Sequence, residues 1–112
     1  LSSEDLAYLA DMVESADLAL SYLDQMSFEA FRADQKTQDA VLYRLGILGE
    51  AARFVSEPTR NALNLDWSAI TGMRHRLFHG YREVKLRIVW TTVTDDLAPL
   101  VERLTSYLAE NA

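Results

Sequence analysis

Three apolar stripes recur along this chain at steps of three and four residues, a period that fits helices and little else. Leu6, Leu9, Val13, Ala16, Leu20 and Leu23 make the first stripe, and Val41, Leu45, Leu48, Ala52 and Val55 the second. Val93, Leu97, Leu100, Leu104 and Leu108 make the last. The first helix is expected over Ser3–Gln25, opened by Ser2 and Asp5 in a capping-box pattern. A turn or short helix capped by Ser27 should follow around Phe28–Phe31. The second long helix should run from about Asp34 to Val55, with Gly46 and Gly49 inside it. Each glycine costs roughly 1 kcal/mol relative to alanine, which points to close approach by another helix or a partner chain. Pro58 should end that element, and 57–65 should connect with one helical turn at most.

Asp66 is placed to cap a third helix carrying Trp67, Ile70, Met73 and Leu77, ended by Gly80. The last helical region should start near Leu86, and Pro99 should kink it or mark a fresh start near Thr94 or Asp95. The one β-branched run, Ile88–Thr94, sits between helical patterns. Together these elements predict an all-α fold, an antiparallel bundle of four to five helices.

The 112 residues suit one domain, 1–112, and 49% hydrophobic content suffices for a core. With no cysteine there is neither a disulfide framework nor a thiolate metal site, which accords with a reducing cytoplasm. No apolar run approaches the roughly 18 residues of a membrane span, and no signal-peptide pattern is present. The net charge of −6 opposes general binding to a polyanion, but the charge is uneven. Residues 74–87 hold Arg74, Arg76, Arg82, Lys85 and Arg87 against Glu83 alone, a balance of +4 that leaves −10 for the rest. Such a stretch is either a solvated basic loop or a local phosphate-binding patch on a repelling body.

Inside that stretch, Arg74 and His79 stand five apart near a helix end, with Tyr81 two residues on. A guanidinium fits a phosphate as a charged fork, and an imidazole transfers protons near neutral pH. At about 100° per residue, Arg74 falls within or beside the apolar arc between Ile70 and Phe78. A buried guanidinium is costly alone. Arg74 therefore calls for an internal carboxylate such as Glu50, a wet cleft, or a partner surface. Taken singly, His79 is a cap or a general base, and Tyr81 is a packed aromatic with its hydroxyl at the surface. His75 is either a second proton donor or a surface residue.

The order Arg74-x4-His79-x-Tyr81 resembles the signature of HEPN-domain proteins of the HepT type, small helical toxins of the MNT–HEPN toxin–antitoxin systems. Leu48-Gly49-Glu50-Ala51-Ala52-Arg53 resembles the family's Gly-Glu-Ala-Ala stretch. Trp67 before the Arg helix, then Ile88-Val89-Trp90, Val93 and Asp95-Asp96-Leu97 after it, also fit. The position after the Arg is often Asn or Asp in the wider superfamily; here it is His75.

The resemblance implies a metal-independent endoribonuclease without a cofactor, acting on RNA as a homodimer with both subunits' Arg and His lining an interface cleft. Carried over, His79 is the base on the ribose 2′-hydroxyl or the acid to the leaving 5′-oxygen. Arg74 binds the phosphate and stabilises its growing charge, and a 2′,3′-cyclic phosphate remains. Tyr81 would accept AMP from a minimal nucleotidyltransferase antitoxin, blocking the site by bulk and charge. Arg76, Arg82 and His75 would touch the RNA backbone. The acid excess supports a different class: a non-catalytic helical dimer that binds nucleotide or a partner protein. A purely structural helical dimer is the third.

Overall fold

The computed structural model describes residues 1–79 and 83–112, apart from the side chains of Phe78, His79 and Glu83. Three long helices frame it: α1 (Ser3–Tyr22), α3 (Gln35–Arg53) and α8 (Leu97–Asn111). Between them lie α2 (Phe28–Arg32), α4 (Glu57–Leu63), α5 (Trp67–Thr71), α6 (Met73–Leu77) and α7 (Leu86–Thr91). A π-helix (Thr92–Asp96) leads into α8. The all-α expectation holds, with one addition: the two-residue strands β1 (Phe78–His79) and β2 (Glu83–Val84) pair antiparallel.

α1 packs most extensively on α3 and next on α8. The pair runs antiparallel, since Asp5 near the start of α1 bonds Ser56 just past α3, while Arg44 of α3 donates to the Tyr22 hydroxyl at the end of α1. The buried face of α1 is rotated from the expected stripe. Met12, Ser15 and Ala19 join Leu9, Ala16 and Leu23 inside, whereas Leu6, Val13 and Leu20 are only half-buried. The small side chains let the two helices approach closely, a preference that a hydrophobic period alone does not register.

α1 ends at Tyr22 rather than Gln25, which adopts a left-handed φ of 64°. Ser27 caps α2 and Asp34 caps α3 through hydrogen bonds to Ala30 N and Thr37 N, as the capping chemistry requires. Gln38 donates to the carbonyls of Phe31 and Arg32, closing the end of α2. Pro58 does not terminate α3; it sits in the first turn of the seven-residue α4, where a missing N–H costs nothing.

The capping box at Ser2 is half formed. Ser2 accepts from Asp5 N, but the Asp5 carboxylate turns to the α3–α4 joint. It is buried and accepts from Ser56 N (3.0 Å), the Ser56 hydroxyl and the Thr59 hydroxyl (2.7 Å). The same joint is fixed from the other side by Arg60. Its guanidinium donates to the carbonyls of Ala52, Arg53 and Val55 and lies 5.3 Å from the Trp67 ring centre. Trp67 returns a hydrogen bond to Arg60 O. Arg60 supplies the donors that the carbonyls at the C-terminal end of α3 otherwise lack.

Gly49 meets the expectation of close approach: a Cβ there would lie 3.2 Å from Ile70 O of α5. Within one chain no other helix among the described residues approaches Gly46, where a Cβ would meet nothing within 4 Å.

Candidate functional site

The third helix of the sequence reading breaks at Gly72. Asp66 caps α5 through Ala69 N as expected, but Gly72 closes it and α6 restarts at Met73. A Cβ on Gly72 would lie 2.9 Å from Ser68 O, so the tight joint depends on glycine. The angle from Ile70 to Arg74 assumes an unbroken helix; across the joint Arg74 is exposed, which fits a place beside the apolar arc rather than within it. Met73 and Leu77 are buried and anchor α6, leaving Arg74, His75 and Arg76 on its open surface. Glu50, weighed as a partner for Arg74, forms an exposed pair with Arg53 at 3.4 Å.

The helix also stops earlier than Gly80, at Leu77, and the chain turns extended. Phe78 pairs with Val84, His79 pairs with Glu83, and Lys85 N donates to Leu77 O at 2.9 Å. The hairpin thus fixes the backbone of His79 directly after α6, five residues beyond Arg74. Two residues per strand carry too little alternation to be read from sequence. The His79 side chain lies outside the described residues, as do Tyr81 and Arg82.

Arg76 points away from Arg74, about 200° around α6, and donates to the buried Thr92 hydroxyl at 3.2 Å. It stands at one end of a cleft of about 390 Å³ between α5–α6 and the π-helix–α8 corner. Ala69, Ile70 and Met73 form one wall and Leu97 and Leu100 the other, with Asp66 and Asp96 beside them. Sequence reasoning missed this cleft, although one residue, Pro99, marked its corner. Pro99 cannot donate to the carbonyl four residues back. The local answer is close to the expected fresh start: five residues of π-helix, a widened turn frequent at functional sites, and then α8 opening at Leu97 with Pro99 in its first turn.

Among the described basic residues of the stretch, Lys85 and Arg87 are exposed along with Arg74, His75 and Arg76. Arg87 stacks 3.7 Å from the centre of the Phe28 ring, which itself meets Trp90 edge-on, so this cation is partly tied to the α2–α7 contact. Among the described residues, no three His, Cys, Asp or Glu side chains group so as to hold a metal ion. Nor, among them, is any helix long and apolar enough to cross a membrane.

A second surface feature lies on α3. Tyr43 and Phe54 are large apolar side chains more than half exposed, and Phe54 stacks on Tyr8 at 5.6 Å. Ile47 and the open Gly46 share that side of the helix with the Glu50–Arg53 pair.

With helices, hairpin and basic surface placed, comparison with known proteins assigns the class. Residues 12–107 match the family model Ribonuclease HepT-like, and the chain belongs to that family of HEPN proteins. Among individual relatives it is similar to "Probable ribonuclease HepT" of Thermococcus cleftensis, 35% identical over 94 residues, which cover 83% of this chain and 86% of that protein. It is also similar to two Methanocaldococcus jannaschii proteins, each named a "Putative RNase". One is 31% identical over 78% of this chain and 73% of its own length, the other 28% identical over 87% and 91%. No solved structure matches the chain significantly.

Proposed function

We propose that the chain is a toxin of a toxin–antitoxin pair and acts as a metal-independent endoribonuclease, with Arg74 and His79 as its catalytic residues. The observation that carries this reading is the α6–β1 junction. It exposes Arg74 and follows it, after the buried Leu77, with the backbone position of His79 in a chain whose relatives carry ribonuclease names.

In the proposed reaction the ribose 2′-oxygen attacks the adjacent phosphorus while His79 takes its proton. The bond to the 5′-oxygen breaks, and that oxygen leaves with a proton from a second imidazole, either His75 or His79 of a second copy. The products are a 2′,3′-cyclic phosphate and a 5′-hydroxyl, and no oxidant or metal is consumed. Arg74 neutralises the charge that grows on the non-bridging oxygens. His75, Arg76 and Arg82 hold flanking phosphates.

A homodimer is part of this reading. The α3 face supports it, since aromatic side chains are over-represented in buried interfaces and Gly46 leaves room for a second helix. An isologous contact sets Glu50 of one copy near Arg53 of the other and reciprocally. Silencing falls to Tyr81, whose hydroxyl would attack the α-phosphorus of ATP bound to a minimal nucleotidyltransferase antitoxin. It would gain AMP as pyrophosphate leaves, and the modification brings a negative phosphodiester next to Arg74.

The test is cleavage of single-stranded RNA by purified protein in EDTA. Arg74→Ala and His79→Ala should each lose at least about a hundredfold in rate while keeping the parent's circular dichroism and oligomeric state. Folded variants that cleave like the parent would remove both residues from the mechanism. The acid-rich body favours the second reading, a nucleotide-binding dimer without catalysis; RNA binding without strand scission in the parent would select it.

A further inference from the structure

We propose that the cleft beside α6 is a base-recognition pocket selective for guanine, an inference that rests on the ribonuclease reading and adds a substrate preference to it. The cleft's volume of about 390 Å³ lies in the range of roughly 300–1,000 Å³ typical of small-molecule sites. Its walls are apolar, with Ile70 and Met73 on one side and Leu97 and Leu100 on the other. Apolar walls of this kind hold an unstacked base between them.

The polar groups of the cleft set which base fits. Arg76, which lines the cleft, is a cation two residues along α6 from Arg74, and its hydrogen bond to Thr92 uses one of five N–H groups. Asp66 has an oxygen committed to the amide of Ala69, as the α5 cap. Asp96, on the last residue of the π-helix, is exposed and lines the same cleft. An ionised carboxylate only accepts, at two oxygens side by side. Guanine alone presents two adjacent donors on its pairing edge, the ring N1–H and the exocyclic N2–H. Adenine and cytosine each place an acceptor beside their single donor group, and uracil flanks its one donor with two acceptors. Asp96 therefore discriminates by chemistry and not by size.

The route from the reacting phosphate runs around α6 by way of His75. His75 lies between Arg74 and Arg76 on the wheel, about 100° from each, and all three are exposed. A strand held at Arg74 crosses His75 and turns its next base into the cleft with a phosphate on Arg76.

Titration of the full chain with GMP, AMP, CMP and UMP, followed calorimetrically, tests the pocket without reference to cleavage. GMP should bind at least about tenfold more tightly than the others, the effect of one good bidentate base contact. Asp96→Asn should erase the preference, and Ala69→Phe, which fills the cleft from its half-exposed wall, should abolish binding of all four. In parallel, uridine-rich RNA carrying a single guanosine should be cut next to that guanosine. GMP selectivity without any cleavage would support the pocket and refute the ribonuclease reading. Cleavage with no base preference, together with equal binding of the four nucleotides, would overturn the pocket and leave the ribonuclease reading standing. Binding of none of them, with cleavage untouched by Ala69→Phe, would also overturn it and leave the cleft to a protein segment.

Discussion

Replacing Asp5 by alanine should be among the most damaging single changes outside the site. Its buried carboxylate ties the start of α1 to the α3–α4 joint through three hydrogen bonds, from Ser56 N, the Ser56 hydroxyl and the buried Thr59 hydroxyl. A hydrogen bond to a charged acceptor contributes roughly 1.5–3 kcal/mol. Thr59 cannot regain water after the change, while the exposed Ser56 hydroxyl can, so the Thr59 bond counts in full and the Ser56 pair only in part. The loss comes to about 3 kcal/mol, a large share of the roughly 5–15 kcal/mol that holds a domain together. For a chain of this size the unfolding midpoint should fall by roughly 10–15 °C.

The pH dependence of that loss has a definite sign. Burial pushes the Asp5 carboxyl up, but hydrogen bonds from the Ser56 side chain, the Thr59 side chain and the Ser56 backbone, with the N-terminal charge, outweigh it and hold it below the ordinary 3.8. Folded Asp5 thus binds a proton more weakly than unfolded Asp5. Its contribution is complete above 3.8 and disappears as pH drops through the lowered value. Thermal unfolding followed by circular dichroism at pH 7 and pH 2 measures both effects. A midpoint for Asp5→Ala within about 2 °C of the parent at pH 7, or a gap as wide at pH 2 as at pH 7, would refute the reasoning.

Five further outcomes are expected. Gly72→Ala should destabilise the fold by about 1–3 kcal/mol, because the new methyl group meets Ser68 O at 2.9 Å; chemical denaturation reads this directly. Gly46→Ala should stabilise a single copy by up to about 1 kcal/mol, as it adds helix propensity in open space. Gly46→Trp should shift the protein toward monomer in sedimentation if a second copy packs there. Arg60→Ala, which strips the carbonyls of Ala52, Arg53 and Val55 of their donor, should cost about 2–3 kcal/mol in the same denaturation assay. Co-expression with the proposed nucleotidyltransferase antitoxin should add adenylate mass to the parent chain and none to Tyr81→Phe.

The long helices were legible because each carries a stripe spanning several turns. The departures come where a short-range signal met a tertiary demand. Asp5 looks like a capping-box acid, yet a donor pair more than fifty residues away claims it. Ser15 and Ala19 are weakly hydrophobic, and they are buried because α3 lies so close. Gly72 sits unremarked inside a helical pattern, and only its clash with Ser68 O reveals the joint that carries Arg74 to the surface. The order Arg74-x4-His79 and the basic stretch around it are legible in the sequence. The cleft was not, since its walls come from residues 65–76 and 92–100, which no local pattern connects.

The ends of the cut RNA test the central claim most directly. Cleavage in EDTA should leave a 2′,3′-cyclic phosphate on one fragment and a 5′-hydroxyl on the other, and His79→Ala should yield neither. Fragments bearing 5′-phosphates, formed only when a divalent metal is restored, would contradict an Arg74–His79 mechanism.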